Sequence, residues 1–179
     1  MDIFEAINKR YSYRGSYKNT PIPRGDLQKI LEAGLAAPSG CNTQTTSLIA
    51  VDDPDLINSI AGMVKKNGFE GGNPPAGVCV LTQRILCHGS AYYNVQDYSA
   101  AIENILLAIT ALGYASCWIE GQITTSSETQ EQMAKLLDIP EGYTVVGFLP
   151  VGIPEADGKR PPYKMFSERA WFNTFGKEA

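Results

Sequence analysis

Arg10-Tyr11-Ser12-Tyr13-Arg14, followed by Pro38-Ser39-Gly40-Cys41-Asn42-Thr43-Gln44, are the segments from which this 179-residue chain is best read. In an extended backbone alternate side chains point to one face, so Arg10, Ser12 and Arg14 would share a polar edge. At ~3.3 Å per residue that edge is roughly 13 Å long, enough to hold an elongated ligand at both ends. Two guanidinium groups and a hydroxyl suit a phosphate at one end and an electron-poor ring with carbonyl acceptors at the other. Asn42 and Gln44 follow a helix broken by Pro38, and each amide offers a donor and an acceptor to such a ring. Either segment alone reads as a solvated basic strand or a polar loop. Both together, in this order, narrow the choice.

A chain of this length is most simply one domain. A domain near this size removes roughly 70% of its unfolded surface from water, so a core can form without disulfides. The 44% apolar and 19% charged composition is ordinary for a globular protein. A net charge of −4 gives no general attraction to nucleic acid or anionic lipid. Asp2 and Glu5 precede any apolar run, unlike a secretory signal. No stretch approaches the ~18 consecutive apolar residues of a membrane helix, and the expectation is a cytoplasmic protein. The four cysteines, at 41, 79, 87 and 117, show no CxxC spacing, which argues against a zinc or iron–sulfur site. Cys79 and Cys117 fall in apolar strand-like runs and read as small core hydrophobes. Cys87 adjoins the single histidine, His88, and neighbours on a regular element diverge, so no metal pair is expected there.

Asp2 can cap a short helix carrying Ile3, Phe4 and Ile7 on one side. From Asp26 onward, Leu27, Ile30, Leu31 and Leu35 trace an amphipathic helix that Pro38 ends. Residues 47–51 and 78–81 read as strands, with an apolar helical stripe of Leu56, Ile57, Ile60 and Met63 between them. Residues 82–96 lack a period and read as a loop or short helix near the surface, over a binding site. Residues 99–112 contain one charge, Glu103, so this helix should be buried on several sides, as a central helix or a subunit contact. Residues 115–119 and 143–151 read as strands, and Ser126-Ser127-Glu128 opens a helix with Met133, Leu136 and Leu137 inside. The tail holds Trp171, Phe172 and Phe175, which would be costly to expose together and are expected to pack on a partner subunit. By alternation alone the elements favour a doubly wound parallel sheet. Neither a GxGxxG after a first strand nor a phosphate-binding GxxxxGK motif is present.

The two opening segments resemble the flavin-binding segments of the FMN-dependent nitroreductase family. Asp97-Tyr98-Ser99-Ala100-Ala101-Ile102-Glu103-Asn104 is similar to that family's long central helix, and residues 113–121 to the strand and turn that follow it. Gly147-Phe148-Leu149-Pro150-Val151-Gly152 and Lys159-Arg160-Pro161 match the expected pattern and order, so the resemblance runs from residue 2 to about residue 175. It implies an α+β fold with a mixed central β-sheet flanked by helices, in an intertwined homodimer. A single FMN-binding domain would cover residues 1–179, with 153–179 a C-terminal extension packing on the partner subunit.

The same resemblance assigns Arg10 and Ser12 to the FMN phosphate, with further contacts from Tyr11. Arg14 falls beside the flavin N1 and C2 carbonyl, where a cation favours the reduced state. Pro38, Ser39, Gly40, Asn42 and Gln44 are assigned to the segment reaching the flavin, often from the opposite subunit. Tyr11 stands where a second arginine or histidine is common, and Gly40 where a serine is frequent. Trp118, Ile119, Glu120 and Gly121 resemble the turn along the reactive side, whose backbone N–H groups reach N5 and O4. Lys159 and Arg160 resemble the second phosphate-binding pair. No side chain emerges as a general acid or base, which fits a flavoenzyme whose cofactor carries the chemistry. The implied activity is ping-pong hydride transfer from NADH or NADPH through flavin N5 to an electrophilic acceptor such as a nitroaromatic, quinone or activated alkene. A thiol hydrolase using Cys41, His88 and Asn42 is one alternative. A flavin-binding or flavin-sensing protein without turnover is another.

Overall fold

In the computed structural model, which describes residues 1–65, 68–158 and 160–176, the elements follow the periodicities closely. Along the chain run α1 (Ile3–Lys9), α2 (Arg24–Leu35), β1 (Thr46–Val51), α3 (Pro54–Met63), β2 (Ala76–Thr82), β3 (Leu86–Cys87), β4 (Ala91–Tyr92), α4 (Asn94–Ala111), α5 (Gly121–Thr124), α6 (Ser127–Leu136) and β5 (Thr144–Val151). Short 3-10 turns occupy Gly40–Asn42 and Phe166–Glu168. Capping explains several starts. Asp2 and Glu5 form a reciprocal pair at α1, Asp53 accepts from the Asp55 and Leu56 amides ahead of α3, and Ser126 accepts from Thr129 at α6.

The central strands lie in the order β1-β2-β5, and both pairings are antiparallel. This corrects the parallel sheet that alternation alone favours. Periodicity does not encode strand direction. The expected strand at 115–119 makes only single bridges, Ala115 with Gly152 and Ile119 with Phe148, both antiparallel. Ser12 makes an isolated parallel bridge to Ser116 outside the named strands, whose own pairings are antiparallel rather than mixed, and helices packed on this sheet give an α+β fold.

Strand alternation divides the core in two. Val78 and Val80 of β2 face a cluster with Leu27 and Ile30 of α2 and Ile102, Ile105 and Ile109 of α4. Cys79 and Leu81 face a second cluster with Ile57 and Ile60 of α3, Ile123 of α5 and Met133 of α6. On β5 the alternation slips: Val80 pairs with Gly147 and Leu81 with Val145, leaving Val146 as an extra residue. That bulge turns Val146 toward the first cluster and Val145 toward the second. Helices therefore cover both faces of the sheet. Among the described residues, no helix is long and apolar enough to cross a membrane.

Two regions stay outside this core. On α1 only Ala6 is buried, while Ile3 and Phe4 are 56% and 73% exposed. In the tail Phe172 and Phe175 are 60% and 85% exposed, and the tail aromatics stack on one another: Phe166 on Phe172, Trp171 on Phe175. The accessible surface is 10487 Å². A compact monomer of this mass exposes about 8,500 Å².

Candidate functional site

The frame of the site is α4, and its least expected residue is Asp97. Sequence reading places it merely at the head of a nearly apolar helix, yet it is buried and both carboxylate oxygens are occupied. Oδ1 accepts the Gly40 N–H at 2.7 Å and Oδ2 the Thr45 hydroxyl at 2.7 Å. A buried carboxylate is tolerated when hydrogen bonds replace its water, and here those bonds fix both ends of the 40–45 loop. The available signal was an acid at the head of a helix that carries one further charge, Glu103.

The loop itself is strained. Cys41, Asn42 and Gln44 all have positive φ, at 52°, 56° and 49°. Asparagine tolerates this region, whereas cysteine and glutamine rarely adopt it. Local bonds help to hold the conformation: Thr43 Oγ1 donates to Gly40 O at 2.8 Å and the Gln44 N–H to Ser39 Oγ at 3.0 Å. Gly40 has a reason beyond motif matching, because a Cβ there would lie 2.5 Å from the Cβ of Tyr93. Pro38, Ser39 and Gln44 line a cavity of about 200 Å³ with Leu35, Asp97 and Ala101.

A disulfide joins Cys41 to Cys87 across 46 residues. In this oxidised state Cys41 offers no free thiolate for the thiol-hydrolase alternative. The bond also corrects the expectation that Cys87 and His88 diverge. His88 leaves the regular strand with φ of 46°, and its side-chain nitrogen lies within 4.8 Å of both sulfurs. Cys79 and Cys117 are buried, as expected of core hydrophobes. Burial pushes the Cys79 thiol up to about 12 and the Cys117 thiol up to about 11, with Arg14 opposing the latter shift.

The arginine-bearing segment meets residues 116 and 158. Tyr13 turns inward, its N–H donating to Ser116 O at 2.8 Å, while Ser12 and Arg14 stay exposed. Tyr11, Ser12, Arg14 and Ser16 line a cavity of about 420 Å³ together with Glu155 and Asp157. The Tyr11 hydroxyl accepts the Gly158 N–H at 3.0 Å, tying the tail's first residues to this segment. Arg10 Nε lies 3.5 Å from Glu103 Oε1 on α4. Arg160 donates to Asn8 O at 2.7 Å and stacks over Tyr163 at 4.1 Å. The Tyr163 phenol is pulled below its ordinary value by its hydrogen bond to Arg160 first, and by the charges of Arg160 and Arg10 as well. Lys159 lies outside the described residues.

The 118–121 motif is split by its own packing. Trp118 packs against the α2–α4 cluster, and Ile119 is buried in the other one. Both backbone polar groups of Ile119 are engaged by Phe148, at 3.0 and 2.9 Å. Glu120 and Gly121 are the part that reaches the surface. Glu120 accepts the Tyr98 hydroxyl at 3.3 Å, and burial together with the Glu120 charge raises the Tyr98 phenol. Asp97, Tyr98 and Glu103 thus connect α4 to three of the four predicted segments. The arginine cavity and the loop cavity nevertheless share no lining residue among those described.

The nitroreductase family model matches residues 7–92 and 88–153. A protein of Archaeoglobus fulgidus, provisionally named NADH dehydrogenase/NAD(P)H nitroreductase, is 31% identical over 94% of this chain and 98% of its own. The crystal structure of a Bacteroides fragilis nitroreductase with bound FMN superposes with a TM-score of 0.72 at 30% identity, covering 92% of this chain and 95% of that one. An FMN-dependent nitroreductase of Clostridium difficile gives a TM-score of 0.80 at 26% identity over 96% and 99% of the two chains. The chain belongs to the nitroreductase family.

Proposed function

We propose that the protein is an FMN-dependent NAD(P)H oxidoreductase that passes hydride to an electrophilic acceptor such as a nitroaromatic, quinone or activated alkene. Its flavin site is completed across a homodimer, with residues 153–179 packed on the partner subunit. The observation that carries this reading is the division of the site on one chain. A phosphate-type segment and an amide-type loop hang from the same helix yet line separate cavities. The exposed apolar side of α1, the self-stacked tail and the surface excess of roughly 2,000 Å² over a compact monomer support a partner.

The residues fit the cofactor. Arg10 and Arg160 carry guanidinium groups suited to a phosphate, Arg160 bonded to Asn8 O on the stretch that leads into Arg10, and the Ser12 hydroxyl is exposed on the same segment. Glu155 and Asp157 disfavour a phosphate beside themselves, which leaves it to the arginine pair. Bound FMN would supply the two-electron chemistry between a nicotinamide and the acceptor. Arg14 would favour negative charge on the ring, Asn42 and Gln44 would orient its amide-like edge, and the Glu120–Gly121 turn would flank it. Solvent supplies the protons.

The test begins with denaturing release and chromatography, which should yield FMN. Anaerobic addition of NADH or NADPH should then bleach the flavin, and an acceptor screen should restore its colour. FMN that neither nucleotide reduces would point instead to a flavin-sensing protein. Recovery of FAD alone, or of no flavin, would reject the cofactor assignment.

A further inference from the structure

We propose that the Cys41–Cys87 disulfide is a thiol-exchange site, attacked at Cys41 by external thiolates and coupled through its loop to flavin retention. The coupling rests on the flavin-site reading above; the exchange chemistry does not.

The two sulfurs are not equivalent. Cys41 lies on an exposed loop, whereas Cys87 is only 4% exposed. An incoming thiolate therefore has access to one sulfur, which makes Cys87 the leaving group. The His88 side-chain nitrogen lies within 4.8 Å of both sulfurs, so a polar side chain borders the bond that breaks. The remaining thiols cannot compete, since Cys79 and Cys117 are buried and their pKa values are raised. Nor does the fold need this bond as a staple, because two apolar clusters already fill both sides of the sheet.

The exchange balances in two steps. A thiolate attacks Cys41 Sγ, forming a mixed disulfide and expelling the Cys87 thiolate, which water protonates. A second thiolate attacks the small-molecule sulfur of that mixed disulfide, releasing the oxidised small disulfide and the Cys41 thiolate, which solvent protonates. Two thiols are oxidised and one protein disulfide is reduced. The substrate class is a small thiol.

Reduction acts on a loop that is held under strain. Cys41 sits at φ 52° between Gly40, bonded to Asp97, and Asn42, itself at φ 56°. Releasing the tether to β3 frees Cys41 to leave this unfavourable backbone region, and Asn42 and Gln44 shift with it. If the flavin-competent arrangement falls to about one tenth of molecules, FMN binds about tenfold more weakly.

The test uses the full chain purified without reductant. Alkylation under denaturing conditions and peptide mapping should find Cys41 linked to Cys87. Brief exposure to glutathione should yield a mixed disulfide on Cys41. Free thiols at both positions in air-equilibrated protein, or glutathione on Cys87, would overturn the exchange site. FMN titration by fluorescence quenching should then show affinity about tenfold weaker after dithiothreitol. The Cys41→Ser/Cys87→Ser variant should be equally weak and indifferent to thiol. Equal affinity in oxidised and reduced protein would overturn the coupling. If no state binds FMN while the mapped exchange persists, the flavin reading and its coupling fall and the exchange site stands.

Discussion

The 38–45 loop and the 160–176 tail are both polar-to-aromatic segments outside regular structure, yet they are held in opposite ways. The loop holds Cys41 and Gln44 in unfavourable backbone conformations and is compensated by Asp97, a disulfide and the close approach of Tyr93 to Gly40. The tail has ordinary backbone over most of its length, its large aromatics stack in pairs with Phe172 and Phe175 exposed, and Arg160 bonds to Asn8 O. Strain held by the chain's own residues marks a part that is finished within one protomer. Exposed aromatics without a core mark a part whose burial lies elsewhere.

The strongest way to break this contrast is truncation after Gly158. We expect loss of both the dimer and FMN, read by mass in solution and by flavin fluorescence, because Arg160 and the tail aromatics leave together. A full-length chain that is monomeric at micromolar concentration and still binds FMN tightly would defeat the shared-site proposal. Asp97→Ala should come next. It strands the Gly40 N–H and the Thr45 hydroxyl, so we expect a loss of about 2–4 kcal/mol. For a chain of this size that lowers Tm by roughly 4–16 °C in a thermal melt. A loop that owed nothing to α4 would leave Tm unchanged. Arg10→Ala should spare the melt but weaken FMN binding by about ten- to a hundredfold, the worth of a charge-assisted contact. Unchanged affinity would remove Arg10 from the site.

The smallest effect is a near absence of reaction. At pH 8 a thiol with pKa about 11 is ionised in only about one molecule in a thousand. Native Cys117, and Cys79 more so, should therefore resist a thiol-specific reagent, with labelling rising as pH approaches the raised values. Rapid labelling of either at pH 8 without unfolding would contradict the buried placement.

Much of the fold is legible in the sequence. Leu27, Ile30, Ile57 and Ile60 announce their helices because each buries one stripe, and residues 78–81 announce a strand because both faces are covered. The direction of β2 and the extra Val146 are not legible, since both depend on how distant segments meet. Residues 115–119 have strand composition but form single bridges, because Phe148 and Gly152 meet them only at the two ends. For the site, residue types at 10–14 and 38–44 declare ligand chemistry on their own. Asp97 and the Cys41–Cys87 bond do not, because one hides in an apolar helix and the other joins positions with no shared local pattern.

Helix α4 also serves as a ruler. Asp97 fixes the loop, Tyr98 meets Glu120, Glu103 meets Arg10, and the Asn104 side chain donates to Ala33 O at 3.1 Å on α2. All four tethers are graduated by one helical pitch. Deleting a single residue before Asp97 would spare their mutual spacing, whereas deleting one at Ala100 would turn Glu103 and Asn104 by ~100° and shift them by ~1.5 Å against Asp97 and Tyr98. The chain can therefore absorb length changes in its loops far more readily than a one-residue slip inside this helix, where a miscount would be felt at both halves of the site at once.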